Sequence, residues 1–384
     1  RFEQLKKQNK DWQKLKTIPV SDLEYLYVRS AYNQYPLDSK TKEMADFYTS
    51  IVEKNWTQFG LYERSLIVVL MQKDGKQNVV RDMLRSYREH AVLSEEMGMF
   101  WANNRAHVFM SQSAVLVHTF IMDAFRVGGA KADELDHMKR WLLKQKQTQM
   151  WESTHATIDA VYALLSAGTD WFSADNNTTV TVGGKVIAPQ QQAQGTGYFK
   201  ETWHKSEITP QMGKVKIENS GNAPAWGALY WQYYEDLDKI TKTGGSLNVE
   251  KMLFVEETDV SGRKLVPITE NRMLRVGDKV IVRLTLRTDR DLEFVHLKDM
   301  RAASFEPLEQ LSGMKWQEGV IYFQASKDAS TNFYFDVLPR GTYVLEYGAF
   351  VTRTGDYSNG ITTVQCMYAP EFSSHTAGMK VNVR

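Results

Sequence analysis

The chain has 384 residues, 42% hydrophobic, 24% charged and 12% aromatic, with a net charge of +1. That length predicts two or three domains of ordinary globular composition, and the charge balance offers neither a basic face for nucleic acid nor an acidic tail. The single cysteine, Cys366, excludes an intramolecular disulfide and a zinc site of several cysteines, and no apolar run is long enough to span a membrane.

The chain opens RFEQLKKQNKDW with no Met and no signal peptide, so a fragment cut from inside a longer protein is expected. Helical periodicity comes first. A helix is predicted from about Ser21 to Tyr35, with Leu23, Leu26 and Tyr27 on one face and Pro36 as its stop. A second, from about Ser39 to Gln58, carries Met44, Phe47, Ile51 and Val52. A third, LYERSLIVVLMQKDG, is apolar over most of its circumference and should be buried from several sides. A fourth covers about Asn78 to Val92. A fifth, SQSAVLVHTFIMDAF, begins near Ser111, and a sixth covers Ala132 to Gln147.

The stretch QTQMWESTHATIDAVYALLSAGTDWF, 147–172, is the pivot of the chain. Ser153 or Thr154 can cap a seventh helix in which Ile158, Val161, Tyr162 and Leu165 recur at helical spacing. Gly168 and the Ser-Ala-Asp-Asn-Asn run after Phe172 should stop it. More charged and more apolar helices alternate up to this point. That suits an inner ring wrapped by an outer ring, with a plain bundle as the alternative.

After the pivot the period becomes two. TTVTVGGKVI reads as a hairpin turning at Gly183-Gly184, and GYFKETWHKSEI and the segment from KVKIEN onward as further strands, with PQQQAQGTG as a loop. The run Trp226 to Tyr234, aromatic on both faces, should be a strand covered on both sides. Beyond the linker TKTGGS, strands recur as NVEKMLFVEE, KVIVRLTLRTD, EFVHLKDM, GVIYFQA, TNFYFDVL, GTYVLEYGAFVTR, GITTVQCMYAP and MKVNVR, the pattern of an antiparallel β-sandwich.

Catalytic patterns are missing. There is no HExxH, GxSxG, phosphate loop or dinucleotide fingerprint, and Gly183-Gly184-Lys185 has no helix after it to make a phosphate cradle. His118 and His155 read as structural. Asp133, Glu134 and Asp136 read as a solvated face, and Glu95-Glu96 as a helix end. Cys366 has no histidine nearby and reads as a buried structural thiol. No catalytic, cofactor-binding or metal-binding residue is assigned.

Several stretches together resemble one family. WESTHATIDAVYALL resembles a helix near the end of the thioester-containing toroid domain of alpha-2-macroglobulins and complement proteins, with Ser153, Thr154, Ala156 and Thr157 matching and His155 in place of Gln. SQSAVLVHTFIMDAF resembles the preceding inner helix. LRVGDKVIVRLTLRTDRDLEFVHLKD, FEP, LPRGTYVLEYGAFVTRTGDYSNG and MYAPEF are similar to the C-terminal domain of bacterial alpha-2-macroglobulins.

The resemblance implies a multidomain α-then-β fold. An incomplete α/α-toroid would cover 1–172, a CUB-like β segment 173–243, and a macroglobulin-like antiparallel β-sandwich 244–384. It implies no enzyme but a broad-range endopeptidase inhibitor of defence, held in the bacterial periplasm or cell envelope, whose partners are proteases trapped after bait cleavage. Membrane anchoring would come only through an N-terminal segment outside this sequence, and no cofactor is implied. Trp151, Ser153, Thr154 and Thr157 would form a structural toroid motif. Trp151 would wedge against the neighbouring inner helix. Met367 and Tyr368 would make an interdomain contact that shields the thioester. Pro370 is expected to end their strand, and alternation to send one of the pair inward. The Cys and Glu-Gln of the thioester are not in this sequence. Two rival classes are a carbohydrate-binding or glycoside-processing toroid with an accessory sandwich, and a scaffold or adhesion module.

Overall fold

Helical periodicity yields to strand alternation after the pivot, whereas the chain divides later, between Gly227 and Ala228. The computed structural model describes residues 2–8, 11–104, 113–151, 153–171, 178–188, 198–221, 225–237, 239–260, 262–269 and 272–384. By its internal contacts the chain forms two units: Arg1–Lys144 with Trp151–Gly227, and Gln145–Met150 with Ala228–Arg384.

The first unit carries helices α1 (Phe2–Gln8), α2 (Val20–Ser30), α3 (Ser39–Asn55), α4 (Leu61–Lys73), α5 (Gln77–Glu89), α6 (Ala114–Val127), α7 (Ala132–Thr148, whose last turn counts with the second unit) and α8 (Thr154–Ser166). Helix α2 stops well before Tyr35, and its last turn closes on backbone donors: the Ala31 N–H bonds to the Val28 carbonyl at 3.0 Å and the Tyr32 N–H to the Arg29 carbonyl at 2.9 Å. Ser30 Oγ donates to the Tyr27 carbonyl at 2.6 Å, and the Arg29 guanidinium donates to that of Tyr32. Asp38 caps α3 by accepting the Lys40 and Thr41 N–H groups at 3.0 and 3.1 Å. Helix α4 is buried from several sides, as its composition predicts, with Leu66, Ile67, Val68, Leu70 and Met71 all in the core. Helix α5 ends at Glu89, and Val92 instead opens a short hairpin, β1 (Val92–Ser94) with β2 (Gly98–Phe100). Ser113 caps α6 through the Leu116 N–H at 3.0 Å; the start expected at Ser111 lies outside the described residues.

Helix α8 reverses the expected burial. Ala156, Ala160 and Ala163 face the core, while Ile158, Val161, Tyr162 and Leu165 are each at least 44% exposed. Both rows have helical spacing. The small row allows close backbone approach to the neighbouring helices, and the unit buries that row.

Next comes a three-stranded sheet of β3 (Thr178–Val182), β4 (Lys185–Val186) and β5 (Val215–Asn219) in the order β4-β3-β5. Gly183 and Gly184, at φ 58° and 82°, make the predicted turn, a conformation that favours glycine. GYFKETWHKSEI is not a strand over its described residues; Lys205–Glu207 is a single 3-10 turn. The run Trp226 to Tyr234 also departs from expectation. It is in no strand, and Trp226, Tyr230, Trp231, Tyr233 and Tyr234 are exposed. A strand requires a ladder partner for its N–H and C=O groups, and among the described residues none pairs with this run. The stop expected at 173–177 and the loop expected at 189–197 lie outside the described residues.

The second unit is a β-sandwich. Its strands are β6 (Leu247–Asp259), β7 (Gly262–Pro267), β8 (Met273–Leu274), β9 (Lys279–Thr288), β10 (Leu292–Met300), β11 (Phe305–Pro307), β12 (Gly313–Gln317), β13 (Val320–Ser326), β14 (Ser330–Leu338), β15 (Gly341–Val351), β16 (Gly355–Ser358), β17 (Thr362–Cys366), β18 (Ala369–His375) and β19 (Lys380–Val383). One sheet runs β11-β15-β9-β6-β7, and the other β12-β13-β14-β10-β17-β18. A small third sheet, β16-β19-β8, holds the parallel pair β19–β8. Alternation along β9 and β15 sends Val280, Val282, Leu284, Leu345, Tyr347 and Ala349 into the core. Leu292, Val295 and Leu297 of β10 and Phe333 and Phe335 of β14 come from the opposite sheet.

The inward row of β6 also contains Lys251. Its ammonium crosses to Asp299 on β10, 2.6 Å from Oδ1, with both side chains almost wholly buried. Thr362 Oγ1 donates to Asp299 Oδ1 at 2.6 Å, Tyr347 OH to Oδ2 at 2.5 Å, and Lys251 Nζ also to the Met300 carbonyl at 2.6 Å. A buried ion pair of this kind persists when its remaining donors and acceptors are satisfied.

GITTVQCMYAP, expected as one strand, is two. β17 ends at Cys366, Met367 and Tyr368 form the turn, and β18 starts at Ala369. Pro370 therefore does not end a strand but lies inside one. β18 is last in its sheet order, and an edge strand tolerates a residue without an N–H.

Candidate functional site

The tip of the β17–β18 hairpin collects the family-like residues of the sandwich. Pairing shifts abruptly there: Gln365 lies opposite Ser373, and Cys366 opposite Ala369. The hairpin is anchored on β10 by two bonds. The buried Cys366 thiol donates to the Glu293 carbonyl at 3.3 Å, and the Met367 N–H to the Phe294 carbonyl at 2.9 Å. Burial pushes the Cys366 pKa up, which disfavours the thiolate that a nucleophile requires.

Beyond those anchors the chain turns outward. Met367 is 55% and Tyr368 78% exposed. The expectation that alternation sends one of them inward fails because they occupy a turn, where alternation does not apply. Tyr368 rests edge-to-face on Phe294, with ring centroids 5.2 Å apart and planes at 86°. The segment Gln145–Met150, which belongs to this unit, lies close by. The Met150 N–H donates to a Glu293 carboxylate oxygen at 3.0 Å, and the Gln147 amide to the Glu371 carboxylate. Sequence reasoning missed Phe294 and Glu293. EFVHLKDM reads as an unremarkable alternating strand, and no glycine or proline marks the irregularity.

The helical motif residues are placed as follows. Ser153 caps α8, accepting the Ala156 N–H at 3.1 Å. Thr157 Oγ1 donates back to the Ser153 carbonyl at 3.0 Å. Thr154 is exposed at the first helical position. Trp151 is half-buried against the helical core, with its indole N–H directed to the Leu142 carbonyl of α7 at 3.4 Å.

His155 is exposed and lies 3.4 Å from Asp159. His118 is fully buried, stacked on Trp141 at 4.2 Å, with Nε2 3.1 Å from the Met138 carbonyl. Nδ1 has no partner. Burial pushes this imidazole's pKa down to about 3, so it is neutral at ordinary pH. Glu134 is held by Arg88 in a bidentate pair at 2.7 and 2.9 Å. Asp136 accepts from the Thr169 N–H and O–H at 2.9 and 2.5 Å. Glu95 and Glu96 lie in the turn between β1 and β2. Among the described residues no group of three His, Cys, Asp or Glu side chains could hold a metal ion. No helix among them is long and apolar enough to cross a membrane.

Residues 247–371 match the profile of the bacterial alpha-2-macroglobulin MG10 domain. The sandwich is thus of the macroglobulin class. Over those residues the chain is similar to the bacterial alpha-2-macroglobulin family, as the motifs had implied. No curated protein matches the chain. Similar solved structures include Escherichia coli alpha-2-macroglobulin activated by porcine elastase, at 13% identity and a TM-score of 0.39, covering 94% of this chain and 35% of that one. The trypsin-activated E. coli protein is similar at 11% and 0.41, covering 94% and 27%. The native E. coli protein from domain MG7 to the C-terminus is similar at 10% and 0.31, covering 94% and 62%. The chain therefore spans about a third of the first of these and less of the second.

Proposed function

We propose that this chain is the C-terminal part of a protease-trapping protein of the alpha-2-macroglobulin type and not an enzyme. In this reading 1–172 is an incomplete α/α-toroid, 173–243 a CUB-like segment and 244–384 the terminal macroglobulin domain. The observation that carries it is the MG10 match over 247–371, with the exposed Met367–Tyr368 tip inside it. Two features support an incomplete architecture. The large apolar row of α8 lies open, and the aromatic run Trp226 to Tyr234 lacks a strand partner among the described residues. Buried apolar rows of this size are the norm in complete domains.

The working partner is then a protease that cleaves a bait segment elsewhere in the full-length protein, within the periplasm or cell envelope. Met367 and Tyr368 supply a large apolar contact with a polar tip, suited to a releasable surface that shields a thioester region. The glycoside-processing alternative would need free convergent carboxylates, whereas Glu134 and Asp136 are engaged by Arg88 and Thr169.

The full-length protein tests the reading. After incubation with trypsin, the bound protease should still cleave a small amide substrate but should lose activity on a large protein substrate. Equal activity on both, relative to free trypsin, would sink the proposal.

A further inference from the structure

Phe294 is built in a way its sequence does not justify. It adopts φ 54°, in the left-handed region that glycine favours, and is one of three non-glycine residues with positive φ among those described. The inward alternation of β10 breaks at the same point. Leu292 and Val295 are both buried, with two residues between them rather than one. The partner strand β14 breaks opposite, with Val337 and Asp336 outward between buried Leu338 and Phe335. An ordinary strand would need neither break. A bulky residue held in this conformation persists where surrounding contacts over-determine it, and such positions cluster at working sites.

Two of those contacts are visible. The carbonyls of Glu293 and Phe294 are both taken by the base of the hairpin, through the Cys366 thiol and the Met367 N–H. The break turns the Phe294 ring toward the outer side, where Tyr368 lies against it at 5.2 Å and 86°. A tyrosine at an exposed turn would otherwise sample several rotamers, and docking it would then cost conformational entropy.

We propose that Phe294 is a positioning residue that holds the Tyr368 ring in its docking orientation before any partner arrives. The purpose of that orientation rests on the shielding reading above; the orientation itself does not.

The test uses the whole chain and the ring-proton resonances of Tyr368, assigned by their loss in Tyr368→Phe. Nuclear Overhauser contacts between the Phe294 and Tyr368 rings should be present in the unaltered chain. The Tyr368 resonances should be displaced from free-tyrosine positions by the neighbouring ring. Phe294→Leu should return them to those positions, and Phe294→Tyr should keep them displaced. Absent ring-to-ring contacts in the unaltered chain overturn the inference, even if Phe294→Leu fails to fold, and so do resonances unmoved in a folded Phe294→Leu. If the resonances move but full-length protein with Phe294→Leu traps trypsin as before, the positioning stands and the shielding reading fails.

Discussion

The helical unit and the sandwich bury their surplus polar and apolar groups by different rules. In the sandwich, strand alternation and burial agree: the inward rows of β9 and β15 meet those of β10 and β14, all supplied within one stretch of chain. In α8 two helical rows compete, and the smaller one wins the core. Their buried polar groups differ as well. The sandwich satisfies a charge, Asp299, with an ammonium and two hydroxyls. The helical unit keeps His118 neutral instead. Periodicity alone thus locates a face, but its burial depends on whether a matching surface stands opposite.

The largest test of that contrast is Asp299→Ala. It leaves the Lys251 ammonium buried without its counter-charge, and should cost about 3–5 kcal/mol in denaturant unfolding of the sandwich. The double change Asp299→Leu with Lys251→Met should recover only part of the loss, because it removes the unpaired charge but leaves the buried Thr362 and Tyr347 hydroxyls without their acceptor. A single variant as stable as the parent would mean that the pair is open to water.

Acid tests the helical side. The folded pKa of His118 lies near 3, below the ordinary value of 6.5, so the unfolded chain takes up the proton first. Stability from this group is intact above pH 6.5 and is lost as the pH falls toward 3. The slope is roughly 1.4 kcal/mol per pH unit, or about 2 kcal/mol between pH 6.5 and 5. Helical circular dichroism during denaturation should show that loss, and His118→Gln should flatten it. A slope unchanged by the substitution would assign it to other groups.

The smallest effects separate the two rows of α8. Ala160→Leu should destabilise the helical unit by about 1–3 kcal/mol through overpacking, whereas Ile158→Ser should change it by no more than about 0.5 kcal/mol. Reversed magnitudes in thermal unfolding would show that the large row is the buried one.

Much of this architecture is legible in the sequence. The apolar circumference of LYERSLIVVLMQKDG foretells the buried α4, and Gly183-Gly184 marks its hairpin because only glycine enters that turn cheaply. The hairpin at Met367-Tyr368 was not legible as a turn. Neither residue signals one, and the base of the hairpin at Cys366 and Met367 is held by contacts with β10 far away in the chain. Phe294 is hidden for the same reason: its conformation is imposed by partners, against its own preference. The run Trp226 to Tyr234 has strand composition, yet composition cannot supply a ladder partner. The residues of the candidate site could therefore be named from their resemblance, while their arrangement had to be seen.

Pro370 has one more consequence. It sits in the strand that ends the larger sheet, where an open row of N–H and C=O groups would invite another chain to pair. Proline removes a donor from that row, and the neighbouring Glu371 places a charge beside it. At the other end of the strand Thr243 already pairs with His375, so the proline and the charge guard the part of the rim nearest the hairpin tip, where no strand partner follows among the described residues.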